Sequence, residues 1–411
     1  MFSRTRALRA VVVLAAALTV LSGCVRSGEP APHRLDLATL DVGAHSVDPL
    51  LPPRTSTDKY GRVLESVRMG EAVLDPAEVD PALTKGDANR TTPLPTPLKA
   101  AGILAEPVRA VLESHRMLAG FAVGGSDVDF GNQRPAIGTA RLLTVVLLRF
   151  PDELAAQLTA RQMNATDAAV SPDNVPVRIA EYPAAFLHWR PTVPTMAATI
   201  AHGPFVVNVL VGHTAPDQAV LTGLVRKAFD VQLPRLRAFQ ATAPDRFDDL
   251  PLDREGMLSR LLPYGAGHWS YPTVFTSDVD QNAGWSSTIR VSGIVFGPRA
   301  TRLLKHHGFK EPIELVAMNG HNLLERFPDA VRARRVFTEE MRAQNPATAI
   351  ATPAGVPDVY CENGITTQPE NPFQVRCHVL YGRYTAAVVG LNPKDAHQRI
   401  AAQYALLVHG E

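Results

Sequence analysis

The sequence predicts an α+β protein of two similar units, each an antiparallel sheet with helices packed on one face, in the order strand–helix–strand–strand–strand–helix. Three observations predict it. Apolar runs of strand length recur between turn signals. Stretches with helical spacing stand between them. Three landmarks then repeat in one order. Arg149-Phe150-Pro151-Asp152 returns as Arg326-Phe327-Pro328-Asp329. His202-Gly203-Pro204-Phe205 returns as Tyr381-Gly382-Arg383-Tyr384, and Thr214-Ala215-Pro216 as Asn392-Pro393. The offsets are 177, 179 and 178 residues.

The chain opens with Arg4, Arg6 and Arg9, an apolar run over residues 10–21, and then Leu21-Ser22-Gly23-Cys24. The run is short of the roughly 20 apolar residues a membrane helix needs. Positive start, short apolar middle and small residues before a cysteine read as a secretory signal over residues 1–23. The tetrapeptide resembles the bacterial lipobox, which implies a diacylglyceryl group on Cys24 and an extracytoplasmic, lipid-anchored protein at the cell membrane. No later stretch approaches 18 consecutive apolar residues.

Residues 24–33 read as a polar tether, 34–250 as an N-terminal domain and 251–411 as a C-terminal domain. In the first domain a short strand is expected from Leu35 to Val42 and a helix from Tyr60 to Leu74. A surface loop follows at 87–99, then a helix from Glu106 to Leu118. Residues 141–150 form a strong strand. Pro151-Asp152 opens a helix to about Ala169. Strands are expected at 177–189, 196–202 and 205–211. A helix from about Ala215 to Leu233 has Thr214 as its cap and Pro216 in its first turn. Residues 238–284 follow no clear period. The second domain has a helix from Pro298 to about His307, a helix opened by Pro328-Asp329, a hairpin around Gly382 and a final helix over 393–409.

The formal charge of +1 points away from nucleic acid and from a polybasic membrane patch. Three cysteines are odd for an exported protein. Lipid on Cys24 leaves Cys361 and Cys377, each in a β-like run, as one expected disulfide. Its loop would contribute about 3 kcal/mol in the chain-entropy model.

Chemistry is mostly missing. There is no HExxH, P-loop, dinucleotide GxGxxG or GxSxG, so no cofactor and no catalytic residue is assigned. The run Gly124-Gly125-Ser126-Asp127-Val128-Asp129-Phe130-Gly131 lacks calcium-loop spacing and reads as a turn. His306-His307 point about 100° apart on a helix and suit its C-terminus better than a metal. His268, Ser270 and His321 are the polar candidates. A deep pocket collecting His268, Ser270 and Asp278 would mark an envelope hydrolase or transferase. A groove between the units would mark a non-catalytic binding protein for an envelope lipid, glycan or protein.

Four phrases carry a resemblance: "LDVGAHSVDPLLPPRT" (40–55), "YGRVLESVRMGEAVLDPAEVDPAL" (60–83), "PTMAATIAHGPFVVNV" (194–209) and "VFGPRATRLL" (295–304). They resemble a family of actinobacterial lipoproteins of unknown function, found in nocardial and mycobacterial relatives. The resemblance spans most of the chain. It implies export, lipidation and an N- and C-terminal two-domain architecture, and brings no catalytic residue.

Overall fold

The computed structural model describes residues 36–86, 90–129, 136–263, 265, 267–275, 290–304, 311–363 and 373–410. The leader, Cys24, the tether, Phe130-Gly131, Asp278 and His306-His307 lie outside the described residues. No described helix is long and apolar enough to cross a membrane.

The first half holds strands β1 (Lys85–Gly86), β2 (Thr92–Pro93), β3 (Ala119–Ser126), β4 (Leu142–Arg149), β5 (Val175–Val177), β6 (Phe186–Trp189), β7 (Thr195–His202) and β8 (Phe205–Gly212). Its helices are α1 (Asp58–Met69), α2 (Pro76–Val79), α3 (Pro97–Ala101), α4 (Val108–Ser114), α5 (Glu153–Ala168) and α6 (Gln218–Ala238). The second half holds β9 (Thr273–Phe275), β10 (Arg290–Phe296), β11 (Leu315–Asn319), β12 (Asn322–Arg326), β13 (Ala349–Ile350), β14 (Val359–Asn363), β15 (Val375–Tyr381) and β16 (Tyr384–Gly390). Its helices are α7 (Pro298–Leu304), α8 (Ala330–Ala343) and α9 (Pro393–His409).

Both sheets are antiparallel, and their strand orders match. One runs β5-β6-β7-β8-β4-β3 and ends on β1, with β2 also on β3. The other runs β13-β14-β15-β16-β12-β11 and ends on β10 and β9. The landmarks keep their jobs. Asp152 and Asp329 cap α5 and α8 with extended backbones, each carboxylate accepting an amide three residues on at 2.8 Å. Phe150 N–H donates to Pro204 O at 2.8 Å, and Phe327 N–H to Arg383 O at 2.9 Å. Gly203 and Gly382 open the two hairpin turns at φ of +53° and +54°, a region that resists side chains.

The α+β class and the two like units stand, with corrections of detail. Helices were expected on one face of each sheet; they take both. Phe121, Val145 and Val207 share a core with α1 and α6, while Ala122, Val146 and Val206 on the other face share one with α4 and α5. In the second half Ala317 and Val379 share a core with α9 and the 257–262 segment, while Val316 and Leu380 share another with α8. Central strands buried on both sides carry continuous apolar runs, which hide the second helical layer from a period-two reading. Each unit also gains a leading strand and one short strand, giving β-β-α-β-β-β-β-α. Gly124, Gly125 and Ser126 end β3 rather than forming a turn.

Other boundaries shift for local reasons. Thr214 does not cap α6; Asp217 does, its carboxylate accepting from two amides at 2.9 and 3.1 Å. Pro151 and Pro328 precede the capping aspartates instead of standing in the first turn. The stretch 177–189 breaks between Val177 and Phe186, where Tyr182 N–H and Ala185 N–H close successive turns. In place of a strand at Leu35–Val42, a short 3-10 helix spans Leu37–Thr39, capped by Asp36.

The halves are not separate globules. Val63, Val67 and Met69 of α1 share one core with Ile294 and Phe296 of β10 and Ala300 of α7. Residues 36–50, reckoned above to the first domain, pack on the second: Leu40 enters its core and Asp41 accepts from Gln398 at 2.9 Å.

Candidate ligand-binding site

The site begins with α1. Thr57 caps the helix, and its buried stripe fixes which way the other residues face. Leu64, Val67, Arg68 and Glu71 then follow one another at i, i+3, i+4 and i+7, one line along the helix and its exit. They form one wall of a cavity of about 370 Å³. The linker supplies the opposite wall with Phe239, Leu250, Pro251, Leu252 and Arg254, and β10 closes it with Val295 and the following Gly297. The lining is mainly apolar, and the volume falls in the range of small-molecule sites.

Contacts between the halves hold the walls apart. A Cβ on Gly61 would sit 2.0 Å from Phe247 O, so only glycine lets the linker lie against α1 there. Glu71 accepts from Arg299 N at 3.2 Å and Ala300 N at 3.0 Å, capping α7 from the other half. Arg299 reaches back, donating to Val73 O at 2.6 Å and Glu78 at 2.8 Å. Asp75 N–H and the guanidinium groups of Arg299 and Arg235 hold the Glu78 carboxyl below its usual range, although burial alone would push it up.

A buried ion cluster stands beside the cavity. Glu65 has no solvent exposure. Arg149 and Arg68 each donate to it at 2.5 Å, and Thr242 donates through N–H at 3.1 Å and Oγ1 at 2.8 Å. Burial lowers the Arg149 pKa from its ordinary value, against the pull of Glu65. Arg149 also donates to Thr242 O. Its repeat counterpart Arg326 donates to Glu255 at 2.7 Å. The two matching arginines thus pin the linker near both ends.

The polar candidates stand elsewhere. His268 and Ser270 line a cavity of about 10 Å³ together with Asp48, Trp269 and Asn319. That is space for about one water. His321, in the turn between β11 and β12, does not line it and sets its ring edge-on to Phe373 at 4.9 Å. Among the described residues no group of three or more His, Cys, Asp or Glu is placed to hold a metal ion. Cys361 and Cys377 sit directly opposite on β14 and β15, with Cα atoms 4.1 Å apart, and form a buried disulfide.

Sequence reasoning passed over the cavity residues. The 64/67/68/71 spacing was the available signal, but it merges with the core stripe of the same helix. The linker wall has no period to read.

Residues 52–252 match a family described as domain of unknown function (DUF7373) N-terminal, and residues 257–410 match domain of unknown function (DUF7373) C-terminal. No curated protein matches. Among solved structures, the extracellular domain of PknH from Mycobacterium tuberculosis is similar at 12% identity. The match covers 45% of this chain and 100% of that one, with a TM-score of 0.25.

Proposed function

For a chain that carries the two-domain DUF7373 architecture, N-terminal half before C-terminal half, we propose a non-catalytic envelope protein that holds a small, largely apolar ligand in the cavity between its halves. The preformed cavity carries the reading. Its walls come from both halves, and charge-assisted bonds across those halves hold them, so binding costs little reorganisation. Its linker wall, Leu250 to Arg254, falls where one family match ends and the next begins.

The envelope placement rests on the leader ahead of Cys24 and on the buried disulfide, which suits an oxidising compartment. In this reading Cys24 carries the lipid and the body stands on the outer face of the cytoplasmic membrane. Cys24→Ser then moves the protein from the detergent phase to the aqueous phase; equal detergent partitioning of variant and wild type contradicts it. The hydrolase or transferase alternative would need room for substrate beside His268 and Ser270, and the cavity they share is water-sized.

Nile red, an uncharged apolar dye, tests the binding reading. The intact protein is expected to bind it saturably, one dye per chain. Leu64→Trp fills the cavity from a half-buried position and abolishes binding without changing the melting temperature. Undiminished binding by a folded Leu64→Trp shows that the dye does not sit in this cavity.

A further inference from the structure

We infer that the ligand is a single-chain amphiphile with an anionic head, and that Arg254 receives the head. The inference rests on the cavity reading above and adds the ligand's charge. Among the described residues three charged side chains stand on the cavity wall, Arg68, Glu71 and Arg254. Glu71 is occupied, with both carboxylate oxygens accepting amides at the start of α7. Arg68 is occupied by Glu65 at 2.5 Å and Gln240 O at 2.9 Å, and by Thr242, and it lies over the Phe239 ring.

Arg254 differs. Its ion partner Glu255 stands 3.6 Å away, beyond hydrogen-bond reach. The other oxygen of Glu255 is taken at 2.7 Å by Arg326. Arg254 is therefore a half-exposed cation, loosely paired, on the wall of an apolar cavity. It packs close over Gly297, where a Cβ would come within 3.0 Å of Nη1. Glu71 stands over the same glycine, its Oε1 2.6 Å from that Cβ position, but both of its oxygens are taken by the amides of α7, and Glu65 answers two arginines, Arg68 and Arg149.

An aliphatic chain fits against Leu64, Val67, Leu252 and Val295 by apolar burial. A head that can accept a bidentate guanidinium, carboxylate or phosphate, then meets Arg254 at the wall. A neutral alcohol of the same length loses that charge-assisted pair. A cationic head meets Arg68 and Arg254, with the carboxylate of Glu71 already taken by backbone amides.

The test is displacement of Nile red from the intact protein by dodecanoate, dodecyl phosphate and dodecanol. Wild type should bind both anions about ten- to a hundredfold more tightly than the alcohol. Arg254→Gln should erase that preference, so that the anions bind no more tightly than dodecanol. Stronger binding of the carboxylate identifies a fatty-acid type of ligand, and stronger binding of the phosphate a phospholipid type; either supports the assignment. Equal binding of alcohol and anions by wild type overturns it, as does an anion preference that survives in Arg254→Gln. In those cases the cavity reading stands as long as Leu64→Trp blocks dodecanol. If no compound displaces the dye from wild type, or Leu64→Trp and Leu250→Trp bind like wild type while melting normally, both readings fall.

Discussion

Glu65 is a carboxylate with no access to water, and two arginines and a threonine saturate it. Removing one partner of such a cluster strands the others. Glu65→Ala is therefore expected to cost about 3–5 kcal/mol, read as a drop in the urea midpoint; a change within error would mean the cluster is hydrated. This role was not legible in the sequence. Arg149 was read as part of a helix-opening phrase, and its partner lies 84 residues away. His188 is a second buried group. Its Nδ1 lies 3.0 Å from Asn164 Oδ1, and Nε2 lies 3.5 Å from Asp167. Burial lowers its pKa below 6.5, with Asp167 opposing. A folded-state pKa below the unfolded value means the unfolded chain binds the proton first. His188 thus contributes stability that is full above pH 6.5 and is lost as pH falls toward the folded pKa. His188→Gln should flatten that part of the stability profile, as measured by unfolding at a series of pH values. An unchanged slope would show that His188 titrates normally.

At the scale of elements, the repeat reaches further than its three landmarks. Gln232 of α6 accepts from Leu74 N at 2.8 Å and donates to Ala72 O at 2.8 Å. Gln403 of α9 accepts from Leu262 N at 2.8 Å and donates to Arg260 O at 2.7 Å. Both amides are fully buried, and the segments they clamp begin at the buried Met69 and Met257. Replacing either glutamine by leucine strands one backbone donor and one acceptor. Each stranded group costs about 1–3 kcal/mol, so Gln232→Leu and Gln403→Leu should lower the midpoint by similar amounts. A loss in only one would mean the two clamps are not equivalent. Strand β4, helix α5, the glycine hairpins and α9 were legible because proline, aspartate and glycine mark their ends by local chemistry. The second helical layer was not, because α5 and α6 hold opposite faces of one sheet and its strands show no alternation. The linker over 239–256 was unreadable for another reason. Its apolar residues are spaced by the surfaces they fill, such as Phe247 against Gly61, and not by a helix or strand period.

Across the whole molecule, two copies of one α+β plan are joined through α1, which belongs to the first half by sequence and shares its core with β10 of the second. The joint leaves a cavity between the halves instead of filling it. Its walls come from residues 64–71, 239–254 and 295–297, and no window of sequence contains two of them. The expectation of a groove between like units was therefore legible from the repeat, while the residues lining it were not. The disulfide was legible from the cysteine count, and its strand pairing places Cys361 opposite Cys377. In the proposed function this joint is the ligand site. A crystal structure of the intact protein grown with dodecanoate tests it most directly. Alkyl density is expected along Leu64, Val67, Leu252 and Val295, with the carboxylate beside Arg254. Density confined to the protein surface or to another pocket, with the cavity left empty, would contradict it.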